Sequence, residues 1–201
     1  APARTSNTTL KETHMATLTP ATELEAVNFL LEAIEEETVN TLVNNTDPDV
    51  AAAILYLNTS SRALQIAGWE FNTENSYILS PDVSGRIEVP ANVTKLTVPG
   101  KRYTVRNRRL YDRDEQTYTF TESVEAEVIQ LLSFPDLPEP ARQYVVLDAA
   151  FNFMAKRAPD ELIAKLTRAQ VTDAWNNFVA DDTRSGNFSF SHNAAIQNRA
   201  R

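Results

Sequence analysis

Apolar residues between positions 51 and 71 recur with the period of a helix that is buried on one side. They are spaced at steps of three, four and seven, which places them on a common helical face. This face carries Val50, Ile54, Leu57, Leu64 and Ala67. A helix with so apolar a face requires other helices to cover it, so we expect the rest of the chain to be organised around this element.

Both ends of this central helix carry recognisable signals. Asp47 is typical of a helix cap, and Pro48 suits the first helical position, where no N–H is needed. Gly68 is placed where a helix end favours a left-handed residue. Trp69 and Phe71 follow on alternate positions, which predicts a strand-like exit.

Three further segments have helical periodicity. The first begins at Thr22, whose spacing from Glu25 is that of a capping box, and ends near Glu35 without a glycine. Its apolar stripe is Leu24, Val27, Leu31 and Ile34. A third helix has Pro138 and Pro140 at its start and carries the stripe Tyr144, Leu147, Phe151 and Met154. A fourth begins at 158–161, and its inward residues are Leu162, Leu166, Ala169, Trp175 and Phe178.

From about Tyr77 the apolar period changes to two. The alternating pairs are Ile87/Val89, Leu96/Val98, Tyr103/Val105 and Tyr118/Phe120, and prolines and glycines separate them. This pattern predicts an antiparallel β region. Asn107 tolerates positive φ, so 106–108 is the expected tip of a hairpin. The largely apolar run 128–132 predicts the most buried strand.

These elements predict an α+β fold that is mainly helical. We expect a four-helix bundle built from residues 19–76 and 135–182, with an antiparallel β subdomain inserted at 77–134. Residues 1–18 and 183–201 lack core-forming patterns and are expected to be extended terminal tails. The residues predicted to form the structural core are Leu31, Ile54, Leu64, Trp69, Phe71 and Phe151.

Composition narrows the class of protein. The 201 residues carry a formal net charge of −8, which argues against sequence-independent clamping of nucleic acid. Cysteine is absent, which excludes disulfides, thiolate chemistry and cysteine-bound zinc. No apolar run approaches the ~20 residues that span a bilayer, and the first residues lack a secretory signal, so no membrane partner is expected.

The charges are sharply partitioned along the chain. Residues 21–50 contain eight acids and no Lys or Arg, whereas 101–113 contains six basic residues and one acid. Residues 183–201 contain three arginines and no acid. The basic run, which includes two tyrosines, is open to three interpretations: a nucleic-acid site, an exposed hairpin face, or an interface that meets acid on another chain. We favour the interface, because this chain carries its own acidic stretch.

The two charged stretches supply candidate subunit-interface residues. They are Glu32, Glu35, Glu36, Glu37, Arg106, Arg108 and Arg109. The C-terminal tail is predicted to dock on a partner as an extended segment, since alternating phenylalanines would then lie on one side. Its candidate docking residues are Arg184, Phe188, Phe190, Arg199 and Arg201.

Catalytic patterns are scarce. His14 and His192 lie in opposite tails, the four glycines are isolated, and no G-x-S-x-G motif is present. We therefore predict no catalytic residue, cofactor or metal. A pair of carboxylates for glycoside hydrolysis stays an alternative, since 27 acids are available.

Several phrases resemble one known family. ATELEAVNFLLEAIEEETVNTL, AAAILYLNTSSRALQIAGWEFNTE, ILSPDV, LYDR and LPEPARQYVVLDAAFNF, in this order over about residues 22–180, resemble the tail tubular protein A family. These are the head-to-tail adaptors of short-tailed bacteriophages. Family members often carry a glycine and prolines after the first helix, where this chain has Glu35–Glu37.

The resemblance implies a structural virion protein of the phage tail that is assembled in the host cytoplasm. It implies a homo-oligomer, expected to be a dodecameric ring, between the portal protein and the tail nozzle formed by tubular protein B. DNA would pass through the lumen without specific binding during genome ejection. It also implies C-terminal contacts with the portal. The competing hypotheses are a tail enzyme that cleaves host surface polysaccharide with paired carboxylates, and a DNA-binding module that uses the basic hairpin.

Overall fold

Helices at both ends of the chain enclose a run of strands in the computed structural model, which describes residues 19–157 and 161–190. Only the backbone is described at 161–167 and 186–190. The helices of this described part are α1 (Glu23–Glu32), α2 (Pro48–Gln65), α3 (Glu139–Arg157) and α4 (Glu161–Phe190). Its strands are β1 (Thr73–Leu79), β2 (Val93–Thr97), β3 (Tyr103–Arg106), β4 (Arg109–Asp112) and β5 (Val124–Gln130). The predicted mixed α+β class is confirmed.

Helix α1 begins as its sequence predicts. The Glu25 N–H donates to Thr22 Oγ1 at 3.2 Å, and the Thr22 N–H donates to Glu25 Oε2 at 3.2 Å, which completes the capping box. The helix ends at Glu32, after which Glu35 takes φ +63°. The Glu36 N–H then donates back to the Leu31 carbonyl at 3.0 Å. Glu35 thus holds the left-handed conformation that glycine adopts with less strain.

Helix α2 also starts and stops at the predicted signals. Asp47 accepts the Asp49 N–H at 2.8 Å, and Gly68 has φ +78°. A Cβ at Gly68 would lie 2.5 Å from Ile129 Cδ1, so any larger residue would strain the backbone and require Ile129 to shift. The predicted strand-like exit was wrong. A 3₁₀ turn, Glu70–Asn72, comes first, because Asn72 accepts the Trp69 N–H at 2.8 Å and bends the chain before β1.

The helices share one apolar core. Helix α2 packs on α3, α3 packs on α4, and α1 contacts both α2 and α3. Leu31 and Leu64 are buried in this core, while Ile54, Trp69 and Phe71 are half-buried at its edge. Other large side chains that are buried here are Leu30, Leu57, Phe134, Leu137, Phe153 and Phe178.

The core-facing side of α3 differs from the predicted stripe. Phe151 is half-buried and its ring lies 6.0 Å from the Arg168 guanidinium carbon, whereas Phe153 is fully buried. The stripe was predicted from the largest side chains, but alanines occupy much of the helix contact, where small side chains allow a close approach. The buried alanines of α3 are Ala141, Ala149 and Ala150. On α4, Ala169 is exposed and Ala174 is buried.

An aromatic cluster joins the exit of α2 to α4. The Trp69 ring centroid lies 4.7 Å from that of Phe178 and 5.6 Å from that of Trp175, in edge-to-face geometry. The Trp69 indole N–H donates to the Leu64 carbonyl at 2.7 Å, which satisfies its only polar atom. Phe178 is buried and Trp175 is partly exposed, as expected for the inner and outer members of such a cluster.

The strands form two antiparallel sheets in the described part. Strand β5 lies between β1 and β2, with Tyr77 opposite Ala126 and Leu96 opposite Val128, while β3 and β4 form a separate hairpin. The first strand begins at Thr73, earlier than the alternating pattern indicates. The buried central strand is present but begins at Val124 and ends at Gln130, so it includes only the first three residues of the predicted 128–132 run.

The β region has its own apolar core. Ile87 and Val89 are buried in it as their alternation predicts, although their segment pairs only through isolated bridges and is not a regular strand. The bridges join Arg86 to Thr119 and Glu88 to Arg109. The buried members of this core are Leu79, Ile87, Val89, Leu110, Phe120, Ala126 and Val128.

Two buried amides connect the helical core to the central sheet, and the sequence patterns did not indicate them. Gln65 accepts the Leu132 N–H at 2.7 Å and donates to the Leu132 carbonyl at 3.2 Å, as a strand residue would. Asn72 donates to the carbonyls of Gln65 and Gln130 at 2.9 and 2.8 Å. The end of α2 is therefore hydrogen-bonded to the end of β5 through side chains that are almost fully buried.

Candidate functional site

The basic run folds into the predicted hairpin. Strands β3 and β4 pair from Tyr103 opposite Asp112 to Arg106 opposite Arg109. The two turn residues, Asn107 and Arg108, have φ of 49° and 60°, the positive values that a tight two-residue hairpin turn requires. Asn107 tolerates this conformation, whereas Arg108 adopts it at some cost in strain. The predicted tip is confirmed.

Two arginines of the hairpin region have acidic partners within the chain. Arg108 pairs with Glu88 at 3.0 Å, and Arg102 pairs with Asp114 at 3.2 Å. All four side chains are about half exposed or more, so each pair contributes at most about 1 kcal/mol. These two arginines are partly neutralised and are less available to a partner.

Arg106 and Arg109 are placed differently. They lie directly opposite each other next to the turn, an arrangement of like charges that is unfavourable on its own. The Arg106 guanidinium carbon lies 4.1 Å from the centroid of the Tyr111 ring, so the aromatic face holds this cation in position. Neither arginine has a carboxylate within ion-pair distance among the described residues.

A third arginine joins them from a distant part of the chain. Arg86, Arg106 and Arg109 line one cleft of about 460 Å³. The backbone positions Arg86 beside the hairpin, since the Leu110 N–H donates to the Ile87 carbonyl at 3.0 Å and Glu88 bridges to Arg109. The remaining lining residues are uncharged: Asn107, Gln116, Thr117, Tyr118 and Thr119.

The Asp82 carboxylate interacts with two arginines of this cleft. Asp82 accepts the backbone N–H groups of Arg86 and Ser84, and these hydrogen bonds lower its pKa, with smaller contributions from the charges of Arg86 and Arg109. Asp82 thus stays ionised, but its oxygen is engaged with its own turn. The described lining of the cleft contains three guanidinium groups and no carboxylate, which leaves the cleft positive.

The acidic candidates lie around the end of α1. Glu32 is the last residue of the helix, and Glu35, Glu36 and Glu37 follow it; all four are exposed. The chain forms no ion pair between these residues and the hairpin arginines in its described part. One copy of the chain therefore does not bring its two predicted interface surfaces together.

The C-terminal candidates fall on a helix in part. Helix α4 continues to Phe190, so the prediction of an extended segment from 183 onward was wrong for residues 183–190. Arg184 is exposed on this helix. The backbone at Phe188 and Phe190 is helical, and their side chains lie outside the described part. Arg199 and Arg201 lie outside the described residues.

Sequence patterns alone missed Arg86 and the 116–119 segment as parts of the cleft. Both come from stretches without a charge run, and only the bridges across the β region bring them to the hairpin. No group of three or more His, Asp or Glu side chains that suits a metal ion occurs among the residues that the structure describes. His14 and His192 lie outside them. No described helix is both long and apolar enough to cross a membrane.

A comparison with known proteins identifies the family to which this sequence belongs. The sequence model of the tail tubular proteins matches residues 24–188. The chain therefore belongs to the tail tubular protein family, and it is a structural protein of the bacteriophage tail.

A relative makes the placement more specific. Tail tubular protein A of Klebsiella phage KP34 is 34% identical to this chain over 125 residues. The match covers 61% of this chain and 66% of that relative, slightly less than two thirds of its length. The predicted family resemblance is confirmed, and neither comparison supports the polysaccharide-cleaving alternative.

Proposed function

We propose that this chain is a head-to-tail adaptor that assembles into a ring between the phage portal and the tail nozzle. The observation that carries the proposal is the family match across residues 24–188. The ring is proposed to be a dodecamer assembled in the host cytoplasm, and DNA passes through its lumen during ejection. The nozzle partner is proposed to be tubular protein B.

Two features of the chain support a ring. A cyclic assembly with head-to-tail contacts needs two different, complementary surfaces on each subunit. This chain has an acidic surface at Glu32 and Glu35–Glu37 and a basic surface on the β3–β4 hairpin, and no ion pair joins the two surfaces within the described residues. The net charge of −8 also suits a duct that must release DNA.

The arrangement of helices and strands suits the same role. We propose that α1 to α4 form a four-helix bundle, with residues 19–76 and 135–182 as the bundle domain and 77–134 as an inserted β subdomain. The separate apolar cores of the helices and the strands support this division. A rigid bundle would serve the ring wall, and the projecting hairpin would reach the neighbouring subunit.

Mass measurement tests the ring directly. Native mass spectrometry of portal protein with and without the chain should show that the chain adds about 270 kDa to the portal assembly, twelve times the 22.5 kDa of one copy. A chain that stays monomeric at all concentrations with portal would contradict the adaptor role.

The C-terminal segment 183–201 is proposed to dock on the portal. This segment contains three arginines and no acid, which favours a partner surface that is acidic. Arg184 is exposed on α4. Deletion of 184–201 should abolish portal binding in a pull-down and leave the melting temperature nearly unchanged, because the core residues of the described part end at Val179, before the deletion. Full portal affinity of the truncated chain would refute docking through this segment.

A further inference from the structure

The arginine cleft identifies which cations of the hairpin region are open to a partner. Arg102 and Arg108 already pair with Asp114 and Glu88. Arg86, Arg106 and Arg109 have no such pair among the described residues and converge on one cleft. An incoming anion therefore meets three guanidinium groups there, whereas at Arg102 or Arg108 it would compete with an existing carboxylate.

Repulsion between these three cations raises the free energy of the isolated chain. Arg106 and Arg109 face each other across the hairpin, and Arg86 adds a third positive charge. Tyr111 holds Arg106 in place, which reduces the entropy lost when Arg106 binds an anion. The planar guanidinium group favours a carboxylate or a phosphate, because it donates two parallel hydrogen bonds to either.

We propose that this cleft binds a carboxylate of the Glu35–Glu37 segment from a second copy of the chain. This inference rests on the proposed ring. The segment is exposed, has no ion pair within the described part of its own chain, and follows the left-handed residue that ends α1. Its three consecutive acids match the three cations of the cleft in charge.

The test is a series of charge-changing variants. For each variant, the fraction of the protein that has assembled into rings is measured. Arg109→Glu should lower this fraction at least about tenfold at low salt, because it places a carboxylate opposite the acids of the neighbouring copy, and like charges placed together oppose association. Arg102→Glu is the matched control: it makes the same change of charge on an arginine outside the cleft and should assemble close to wild type. Arg109→Gln and thermal melts of each variant separate an assembly defect from misfolding.

Restoration of assembly by a second charge reversal identifies the carboxylate that binds in the cleft. At least one of Glu35→Arg, Glu36→Arg and Glu37→Arg should impair assembly alone and restore it when combined with Arg109→Glu. Wild-type assembly by Arg109→Glu, or failure of all three reversals to rescue it, would overturn the carboxylate assignment. Binding of a short DNA duplex by wild type that Arg109→Glu abolishes would show a phosphate site and overturn it as well.

The same series separates two kinds of failure. If wild-type chain forms rings with portal and Arg109→Glu forms them equally well, the cleft pairing is wrong and the adaptor role stands. If wild-type chain forms no ring, the adaptor proposal fails and the cleft pairing fails with it.

Discussion

Replacement of Gln65 is the sharpest test of how the helices are joined to the strands. Gln65 is 1% exposed, and its amide makes both a donor and an acceptor contact with the backbone of Leu132. We consider Gln65→Leu, which keeps approximately the same volume and removes every side-chain hydrogen bond. The change leaves the Leu132 N–H, the Leu132 carbonyl and the Ser61 hydroxyl without this partner.

The expected loss follows from these orphaned groups. A buried polar group left without a hydrogen bond costs about 1–3 kcal/mol. The two backbone groups of Leu132 lie in a residue that is only half-buried, so water relieves part of this cost. The apolar leucine recovers some free energy by burial. We therefore expect Gln65→Leu to lower the free energy of unfolding by about 2–4 kcal/mol.

Urea titration measures this loss. Tryptophan fluorescence reports on the cluster around Trp69 and Trp175, and far-UV circular dichroism reports on the whole chain. Asn58→Ala is the control, because Asn58 is an exposed amide on the same helix, and its replacement should change stability by less than about 0.5 kcal/mol. A loss below about 1 kcal/mol for Gln65→Leu would refute the bridging role of this amide.

Three further predictions address the helical part. Leu64→Ala should cost about 2–5 kcal/mol in a denaturant titration, since Leu64 is 4% exposed in the core, and a loss well under 1 kcal/mol would contradict this packing. Glu35→Gly should raise the melting temperature, with a gain of about 1 kcal/mol, because Glu35 has φ +63°; Glu36→Gly, at a position without positive φ, should bring no such gain. Burial, followed by the charges of Glu70 and Asp181, raises the pKa of Asp182, so its charged form is disfavoured in the folded chain. Asp182→Asn should therefore stabilise the protein at pH 7, and the gain should disappear as the pH falls toward 3.8, the ordinary value; a gain independent of pH would refute this reasoning.

The sequence predicted best where a few neighbouring residues decide the structure. Thr22 with Glu25 predicted the start of α1, and Asp47 with Gly68 predicted the limits of α2. Asn107 predicted the hairpin tip in the same way. Caps and tight turns are formed by contacts between residues two to four apart, so the information is local.

Packing faces were less predictable. Phe151 and Phe153 are both large and apolar, and the helical period alone does not decide which one lies against α2 and α4. The structure buries Phe153, because the alanines of α3 set the closest line of contact. The helical course of residues 183–190 was missed for a similar reason, since a polar stretch with Gly186 has no apolar stripe to indicate a helix.

By itself, the sequence determined the class of fold, the ends of α1 and α2, the separation of acidic from basic stretches and the family. Only the tertiary structure determined which charged side chains lie close together. Arg86 lies 20 residues before Arg106 in the chain, yet the bridges across the β region bring both to one cleft, while Arg102 and Arg108 find acids nearby. Gln65 and Leu132, 67 residues apart, likewise meet only when both cores are formed. Such contacts depend on loop closure and on the packing of distant segments, which a local pattern of residues does not encode.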